Sequence, residues 1–317
     1  MQPRLNDRSR VVALAGGVGG AKLAHGLYQS LGADQLTVVV NTADDFDLWG
    51  LRICPDADTV MYTLAGIANP VTGWGVVDDT WHTLDMLGRY GVDTWFRVGD
   101  RDVATHIART DQLRGGARLT DVINGMARSL DIRAALLPMC DEPVATEVDT
   151  PDGRLHFQDY FVRRQHRDPV SGIVFAGIEQ AAVTNEVRAA IEQADAIIFC
   201  PSNPIVSIGP ILAVAGLRDL IHEASAPKIA VSPIIGGKAL KGPADQMLAG
   251  LGHDVSALGV AAIYRDLIDV FVIDQADADQ QTMIEALGMR VLATNTIMRD
   301  EGDRRRLADE VLEFVTV

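Results

Sequence analysis

Cysteine is scarce in this sequence, with only Cys54, Cys140 and Cys200 among 317 residues. No two of them form a CxxC pair, so the spacing predicts neither a zinc knuckle nor a disulfide framework. The seven histidines show no HExxH or HxH spacing, and no GxSxG nucleophile elbow is present. We therefore expect a protein of a reducing compartment, cytoplasmic, without a zinc centre or a catalytic serine of that type.

The sequence also lacks an excess of positive charge and any long apolar run. Its formal net charge is −15, which argues against nucleic acid or an anionic membrane as partner. No stretch approaches the ~18 apolar residues of a membrane span, and glycines interrupt the first apolar run at residue 16, which argues against a secretory signal. A phosphate ligand remains compatible with this charge, because backbone N–H groups or a metal ion can hold an anion locally.

The apolar content is 48 % and the charged content 22 %, as in ordinary packed proteins. Apolar runs at 11–15 and 36–40 flank a helical segment at 21–31, and this strand-helix-strand order predicts a parallel βαβ unit. Later strands are predicted at 196–200, 228–231, 270–273 and 291–294. We therefore predict an α/β protein with a doubly wound, mostly parallel Rossmann-like sheet.

The middle of the sequence has a different pattern. Helices are predicted at 58–65, 80–90, 102–113 and 304–314, and a short strand at 95–98. Strand-like runs at 145–148, 154–162 and 173–176, with a Pro-Asp-Gly turn at 151–153, predict a β-hairpin. We expect one α/β domain over 1–317 with an inserted helical and β-hairpin subdomain at about 134–180.

The turn after the first strand is rich in glycine: Gly16, Gly17, Gly19 and Gly20, followed by Lys22. Such a turn lets backbone N–H groups approach an anion, and the next helix adds partial positive charge. The dinucleotide fingerprint fails because its third glycine falls on Lys22. The P-loop pattern fails at Ala21 and Leu23. We predict a phosphate-binding turn of another kind, the alternative being a tight turn without a ligand.

Aspartates follow the second strand, at Asp44, Asp45 and Asp47, and Asp56 and Asp58 come shortly after. The carboxyl edge of a doubly wound sheet is where ligands bind. Clustered carboxylates repel one another unless a cation joins them, and Mg²⁺ prefers such oxygen ligands. We predict binding of Mg²⁺ or a hydroxyl group; the alternative is a solvated loop in which Asp58 caps its helix.

Two later loops should reach the same edge. One carries Ser202, Asn203 and Ser207, and the other carries Gly236, Gly237 and Lys238. Small donors, glycines and a lysine at strand ends suit recognition of a diphosphate or a base, although each loop alone fits an ordinary crossover. Arg97 is expected to clamp a polar substrate.

Taken in order, these segments resemble the 2-phospho-L-lactate transferase family of coenzyme F-420 biosynthesis. The resemblance runs through residues 15–22, 54–63, 99–102, 201–204, 207–209 and 232–236. It implies a homodimeric enzyme that binds 7,8-didemethyl-8-hydroxy-5-deazariboflavin and a guanosine diphosphate-linked three-carbon acid. The terminal ribityl hydroxyl would attack the phosphate that bears the acid, and GMP would leave. The acid, of lactate, enolpyruvate or glycerate type, is left open.

The resemblance also implies roles for residues. Asp45 and Asp58 would be catalytic and hold Mg²⁺ or the acceptor side chain, and Asp45 would orient or deprotonate the attacking hydroxyl. The deazaflavin would contact Asp58, Arg97, Ser202 and Asn203. Phosphate and nucleotide groups would contact Gly16, Gly17, Gly19, Gly20, Lys22, Ser207, Gly236, Gly237 and Lys238. Residues 46–49 depart from any fixed family pattern and receive no role.

A second family, the gluconeogenesis-factor-like proteins, shares the expected fold and an Ala-Asp-Asp run after the second strand. Its members bind nucleotide sugars and are regulatory rather than catalytic. They typically show GGGTG and Gly-Gly-Ser-Ser, where this chain has GGVG and Phe46-Asp47. The transferase reading is therefore favoured, and a nicotinamide dehydrogenase is disfavoured by the failed fingerprint.

Overall fold

A computed structural model describes residues 9–32 and 34–315. The strands are β1 (Val11–Ala15), β2 (Leu36–Val40), β3 (Phe46–Leu48), β4 (Leu51–Ile53), β5 (Ala135–Pro138), β6 (Ala145–Thr150), β7 (Gly153–His156), β8 (Gly172–Ala176), β9 (Ala196–Phe199), β10 (Lys228–Val231), β11 (Ile234–Ile235), β12 (Lys238–Ala239), β13 (Val270–Asp274) and β14 (Arg290–Thr294). The helices are α1 (Gly17–Ser30), α2 (Pro55–Leu64), α3 (His82–Arg89), α4 (Asp100–Arg114), α5 (Leu119–Ser129), α6 (Asn185–Glu192), α7 (Ile208–Ala213), α8 (Leu217–Glu223), α9 (Ala244–Gly250), α10 (Ala257–Ile263), α11 (Gln281–Glu285) and α12 (Glu301–Val315).

The central sheet has seven strands in the order β14-β13-β10-β9-β1-β2-β5, and every pair in it is parallel. All five residues of β1 and of β13 are buried, as expected when helices cover both faces of a parallel sheet. Alternate β1 residues enter different cores. Val11 packs with α1 and α12 residues on one face, and Val12 packs with α7 and α10 residues on the other. The predicted doubly wound α/β class is confirmed.

The strand order reverses at β1. The chain runs outward from β1 through β2 to β5, and later returns to place β9 on the other side of β1. In open α/β sheets the crevice at such a switch point, outside the carboxyl ends of the strands, is where ligands bind. The loops that leave β1 and β9 begin with Gly16 and Cys200, so two of the predicted functional loops lie at the switch point.

A separate antiparallel sheet has the order β7-β6-β8. Its apolar side packs on the α/β body through a small cluster that includes Val148, Tyr160 and Met247. The stretch at about 134–180 contains this sheet and also β5, which is an edge strand of the central sheet. The separate sheet therefore begins at Ala145.

Several predicted boundaries differ from the structure. The short strand expected at 95–98 is wrong, since those residues form no strand. The strand expected at 154–162 ends at His156 and is followed by a π-helical turn, Asp159–Arg163. The β3–β4 hairpin and α5 were not predicted. Among the described residues, no helix combines the length and apolar character that a bilayer crossing requires.

Candidate functional site

The loops after β1 and β9 are joined at Gly16 and Ser202. The backbone N–H of Gly16 donates to Ser202 Oγ at 3.0 Å, and that hydroxyl donates to the Gly16 carbonyl at 2.8 Å. Ser207 lies beside them, because a Cβ on Gly16 would come within 2.7 Å of Ser207 Cβ. The switch point thus brings together three residues predicted for substrate or phosphate binding.

The glycine-rich segment is mostly helix rather than loop. Helix α1 begins at Gly17 and not at residue 21 as predicted. A Cβ on Gly19 would lie 2.4 Å from the Pro201 carbonyl oxygen, and one on Gly20 would lie 2.4 Å from Ser202 Oγ. These two glycines are therefore required for α1 to pack against the loop after β9, a role that is independent of any ligand.

The first N–H group of α1 is occupied by a side chain of the protein. Gly17 N donates to Asp56 Oδ1 at 2.8 Å, and Asn41 Nδ2 donates to Asp56 Oδ2 at 2.9 Å. A helix N-terminus favours an anion, and a carboxylate fills that place here. Burial raises the pKa of Asp56 to about 6. Asp56 thus connects the end of β2 with α1 and α2. The sequence indicated Asp56 as one of the clustered aspartates, whereas Asn41 was not predicted.

The two lysines predicted for phosphate binding have different surroundings. Lys22 Nζ donates to the Met298 carbonyl at 2.7 Å, and burial lowers the pKa of Lys22. Lys238 is exposed in β12. A third lysine, Lys241, lies near the first turn of α1, since a Cβ on Gly73 would come within 3.1 Å of Lys241 Nζ and 2.8 Å of Val18 Cγ1. Phosphate binding by Lys22 and Lys238 stays a prediction.

Gly236 and Gly237 form the turn between β11 and β12. Both have positive φ angles, 57° and 75°, which glycine adopts without strain. The Gly236 N–H donates to both carboxylate oxygens of Asp277, at 3.1 and 3.0 Å. Phosphate binding by this turn remains a prediction, and the turn geometry alone accounts for both glycines.

Asp44 and Asp45 follow β2 and are 4 % and 6 % exposed. Burial raises the pKa of Asp45 to about 8 and raises that of Asp44 as well. Each has a buried Oδ1 atom without a hydrogen-bond partner among the described residues. Unpaired buried carboxylates are costly, and hard oxygen ligands without a partner suit Mg²⁺. The donor set at Asp44 and Asp45 therefore fits a divalent cation.

Asp58 differs from Asp45 because it has a cationic partner. It lies in the first turn of α2, and its Oδ1 forms an ion pair with Arg109 of α4. Its Oδ2 lies 3.6 Å from His106 Nδ1 and has no hydrogen-bond partner among the described residues. Burial raises the pKa of Asp58. The fit to Mg²⁺ is thus weaker at Asp58 than at Asp45, since Arg109 already compensates its charge.

His106 lies between two carboxylates. Its Nε2 is 3.4 Å from Asp102 Oδ1, which also accepts a hydrogen bond from the Tyr62 hydroxyl at 2.7 Å. Asp58, Asp102 and His106 bring potential ligand atoms within 4.8 Å of one another. The two imidazole nitrogens face different carboxylates, so the ring lies between Asp58 and Asp102. A single metal ion could therefore be bound by only one of the two nitrogens.

Two residues predicted to contact the deazaflavin lie in distinct settings. Arg97 is exposed, and its guanidinium carbon lies 4.5 Å from the centroid of the Trp81 ring. Trp81 lines a cleft of about 180 Å³ together with Trp74 and Asp79. Asn203 Oδ1 accepts hydrogen bonds from Ile205 N and Val206 N. Asn203 therefore shapes its own loop, whereas Arg97 makes a cation–π contact with the half-buried Trp81 at the cleft. Contact of Arg97 with the deazaflavin stays a prediction.

Comparison with known proteins decides the family. The model of the family described as 2-phospho-L-lactate transferase CofD matches residues 11–308. The chain belongs to this family. It is 42 % identical to a phosphoenolpyruvate transferase of Streptomyces coelicolor, over 96 % of this chain and 97 % of that one. It is 39 % identical to a 2-phospho-L-lactate transferase of Methanosarcina barkeri, over 95 % and 97 %. The predicted CofD family membership is confirmed, and the protein is a transferase.

A solved structure shares the fold. It is a member of the upf0052 family from Bacillus halodurans, with a TM-score of 0.66, covering 97 % of this chain and 98 % of its own. The two sequences are 16 % identical, so this similarity concerns the fold alone.

Proposed function

We propose that this CofD family member transfers a phosphate-linked three-carbon acid from a guanosine diphosphate-linked donor to 7,8-didemethyl-8-hydroxy-5-deazariboflavin. The terminal ribityl oxygen forms a bond to the phosphorus that bears the acid. The bond between that phosphorus and the bridging oxygen breaks, and GMP leaves with that oxygen. The product is a phosphodiester intermediate of coenzyme F-420 biosynthesis, made in the cytoplasm by a homodimer.

The observation that carries the proposal is the group of buried carboxylates beside the switch point. Asp44, Asp45, Asp56 and Asp58 are all buried, with exposed fractions between 4 % and 6 %. Phosphoryl transfer depends on positioning and charge neutralisation more than on a covalent nucleophile. Buried carboxylates next to a helix N-terminus suit that chemistry, since they orient a hydroxyl group and hold a cation near the phosphates.

In the proposed reaction Asp45 and Asp44 would hold Mg²⁺, since each has a buried carboxylate oxygen without a hydrogen-bond partner among the described residues. The ion would neutralise charge on the donor phosphates. Asp58 belongs to the acceptor side of the site, and Asp45 takes up the proton that the attacking hydroxyl loses. Arg97 and Trp81 contact the deazaflavin ring.

The names of the relatives support a transferase, but they do not agree on the three-carbon acid that is transferred. Proteins of similar identity to this chain carry two names, phosphoenolpyruvate transferase and 2-phospho-L-lactate transferase. We propose a donor of enolpyruvate or lactate type, with the glycerate type as the third candidate.

The test is a product analysis. The protein is incubated with the deazaflavin, Mg²⁺, GTP, a guanylyltransferase and each of the three phosphorylated acids in turn. Mass spectrometry should find one deazaflavin phosphodiester, and GMP release should match it in amount. Asp45→Asn should abolish the product, whereas Asp219→Asn, at an exposed position on α8, should not. Absence of product with all three acids, together with binding of a nucleotide sugar, would favour the regulatory alternative.

A further inference from the structure

Lysine is rare in this chain and is concentrated at one edge of the central sheet. The sequence has four lysines against 24 arginines. Lys22 follows the carboxyl end of β1, and Lys238 and Lys241 follow the carboxyl end of β10. Only Lys228 lies at the other edge, as the first residue of β10. Three of the four lysines are thus at the edge where open α/β sheets bind ligands, and one of them, Lys241, has no role in the reaction proposed above.

Lys241 is an exposed residue close to two parts of the candidate site. Its Nζ donates to the Thr72 carbonyl at 2.9 Å, and Thr72 lines the cleft of about 180 Å³ that Trp81 also lines. A Cβ added to Gly73 would come within 3.1 Å of Lys241 Nζ and within 2.8 Å of Val18 Cγ1, in the first turn of α1. The ammonium therefore lies beside both the cleft proposed for the acceptor ring and the end of α1 proposed to meet the donor phosphates.

The ammonium groups of Lys22 and Lys241 have unused donors. Each has one hydrogen-bond acceptor among the described residues, the Met298 carbonyl at 2.7 Å for Lys22 and the Thr72 carbonyl for Lys241. An ammonium carries three N–H donors, and neither lysine forms an ion pair with a carboxylate in the described part of the chain. Because Lys241 is exposed, a ligand from solution can reach its remaining donors.

The two lysines also act on each other. Burial lowers the pKa of Lys22, Arg304 and Lys241 lower it further, and Asp303 opposes them. Like charges held near one another disfavour the charged forms, and an anion placed between them offsets this repulsion. The chain has 43 acidic residues, yet none of those described pairs with Lys241. The position therefore suits an anion that arrives with a substrate.

A phosphate is the anion that this arrangement suits. Lysine binds phosphate as a compact charge with rotatable donors, and two ammonium groups match the two phosphates of a diphosphate. Lys22 is half-buried beside Met298, whereas Lys241 adjoins the cleft through Thr72. The transferred phosphate must meet the acceptor hydroxyl, so it lies on the acceptor side of the diphosphate. Of the two lysines, Lys241 is the one on that side.

We propose that Lys241 binds the phosphate that is transferred, the one that bears the three-carbon acid. Its ammonium donates to a non-bridging oxygen of this phosphate and neutralises charge there as the ribityl oxygen approaches. Lys22 would then contact the phosphate that leaves in GMP. The inference rests on the proposed function, which supplies the donor and the acceptor cleft. It goes beyond that function by assigning a cation to the transferred phosphate.

The test measures binding of GDP and GMP by calorimetric titration with Mg²⁺ present. GDP carries a phosphate at the place of the transferred one, and GMP lacks it. The variants are Lys241→Gln and Lys241→Arg in the full chain. Lys228→Gln is the matched control, because it is the same substitution at the opposite edge of the sheet. Thermal unfolding checks that each variant is folded, and fluorescence follows deazaflavin binding.

We expect Lys241→Gln to raise the Kd of GDP by about tenfold, as for the loss of one hydrogen bond between charged groups. The Kd of GMP should change by less than about twofold, since GMP has no phosphate at that place. Lys241→Arg should retain part of the GDP affinity, because it keeps the charge. Lys228→Gln should bind both nucleotides as the wild type does.

An unchanged Kd of GDP in folded Lys241→Gln would overturn the proposal. An equal loss of affinity for GDP and GMP would also overturn it, because Lys241 would then contact another part of the nucleotide. Weaker deazaflavin binding with wild-type GDP binding would show that Lys241 only holds the Thr72 carbonyl at the cleft.

The nucleotide titrations separate this inference from the proposed function. Wild-type protein that binds GDP but converts none of the three donors contradicts the proposed reaction, and the comparison of GDP with GMP still decides the role of Lys241. Wild-type protein that binds neither nucleotide overturns both.

Discussion

The carboxylate of Asp56 accepts a hydrogen bond from the backbone N–H of Gly17, at 2.8 Å, and so closes the N-terminus of α1 from within the protein. The same carboxylate accepts from Asn41 at the end of β2. The buried Asp56 side chain therefore connects the end of β2 with helices α1 and α2, which flank the candidate site. The phosphates of a donor would approach an N-terminus of α1 whose partial positive charge this carboxylate already neutralises in part.

Asp56→Ala should destabilise the protein by about 2–4 kcal/mol, because it leaves the Gly17 N–H and one N–H of the Asn41 amide without an acceptor, while the Asn41 contact to the Val206 carbonyl remains. Asp56→Asn retains one acceptor oxygen and should lie between Ala and the wild type. Chemical denaturation measures the free energy of unfolding, with Asp219→Asn as the exposed control. Equal stability of all four proteins would show that the connection at Asp56 contributes nothing.

Gly20→Ala should destabilise by about 1–3 kcal/mol, because the new Cβ would come within 2.4 Å of Ser202 Oγ and 3.2 Å of Ala15 Cβ. The matched control is Gly125→Ala in α5, where a Cβ has no neighbour within 4 Å. That variant should be more stable by about 0.5–1 kcal/mol. Thermal unfolding compares the three proteins, and a Gly20→Ala variant as stable as Gly125→Ala would contradict the close packing of α1.

Asp45 should make the metal-free protein less stable as the pH rises. Burial raises the pKa of Asp45 to about 8 in the folded protein, whereas an unfolded aspartate titrates at about 3.9. The folded state therefore binds the proton more tightly than the unfolded state. Between about pH 4 and pH 8 the unfolded Asp45 is ionised while the folded Asp45 is still protonated, so the free energy of unfolding falls as the pH rises. Asp45→Asn should match the wild type at pH 4 and exceed its stability at pH 8. Unfolding in EDTA at both pH values measures this, and a difference that does not grow with pH would refute it.

Magnesium should reverse that destabilisation. Because Mg²⁺ binds the folded protein at the ionised carboxylates, it should raise the Tm of the wild type at pH 8. Asp45→Asn should lose most of the increase, and Asp219→Asn should keep it. A calcium titration and a sodium chloride titration at equal ionic strength separate specific binding from screening. An unchanged response in Asp45→Asn would move the cation site away from Asp45.

The central sheet was predictable from the sequence because its strands are short, apolar and separated by helices. The runs at 11–15 and 36–40 pair in parallel as expected. The β3–β4 hairpin was not predictable, since its turn uses Trp49 at a φ of 53° before Gly50 at 76°, and tryptophan is not a residue that indicates such a turn. The strand expected at 95–98 failed because Trp95 and Phe96 pack on the Phe46 ring instead of pairing with a strand.

The site was predicted in part. The aspartates that follow β2 and the loop after β9 lie where the strand order requires, because a parallel sheet places those loops at one edge. Arg109 was missed, because an arginine in a polar helix has no sequence feature that distinguishes a buried from an exposed position. The glycines were predicted to form a turn that precedes the helix, whereas Gly19 and Gly20 lie inside α1 and are explained by contact with Pro201 and Ser202, residues that lie far away in the sequence.

The position of β1 at the switch point has a consequence for biosynthesis of the chain. Its neighbour β9 begins at Ala196, so during translation β1 has one unpaired side until some 180 further residues have been made. An apolar strand with an unpaired edge pairs readily with strands of other chains. A nascent protein is exposed to this mispairing until the strand that covers the edge has been synthesised. A ribosome-stalled chain that ends before β9 should therefore require a chaperone, and extension beyond Phe199 should release it.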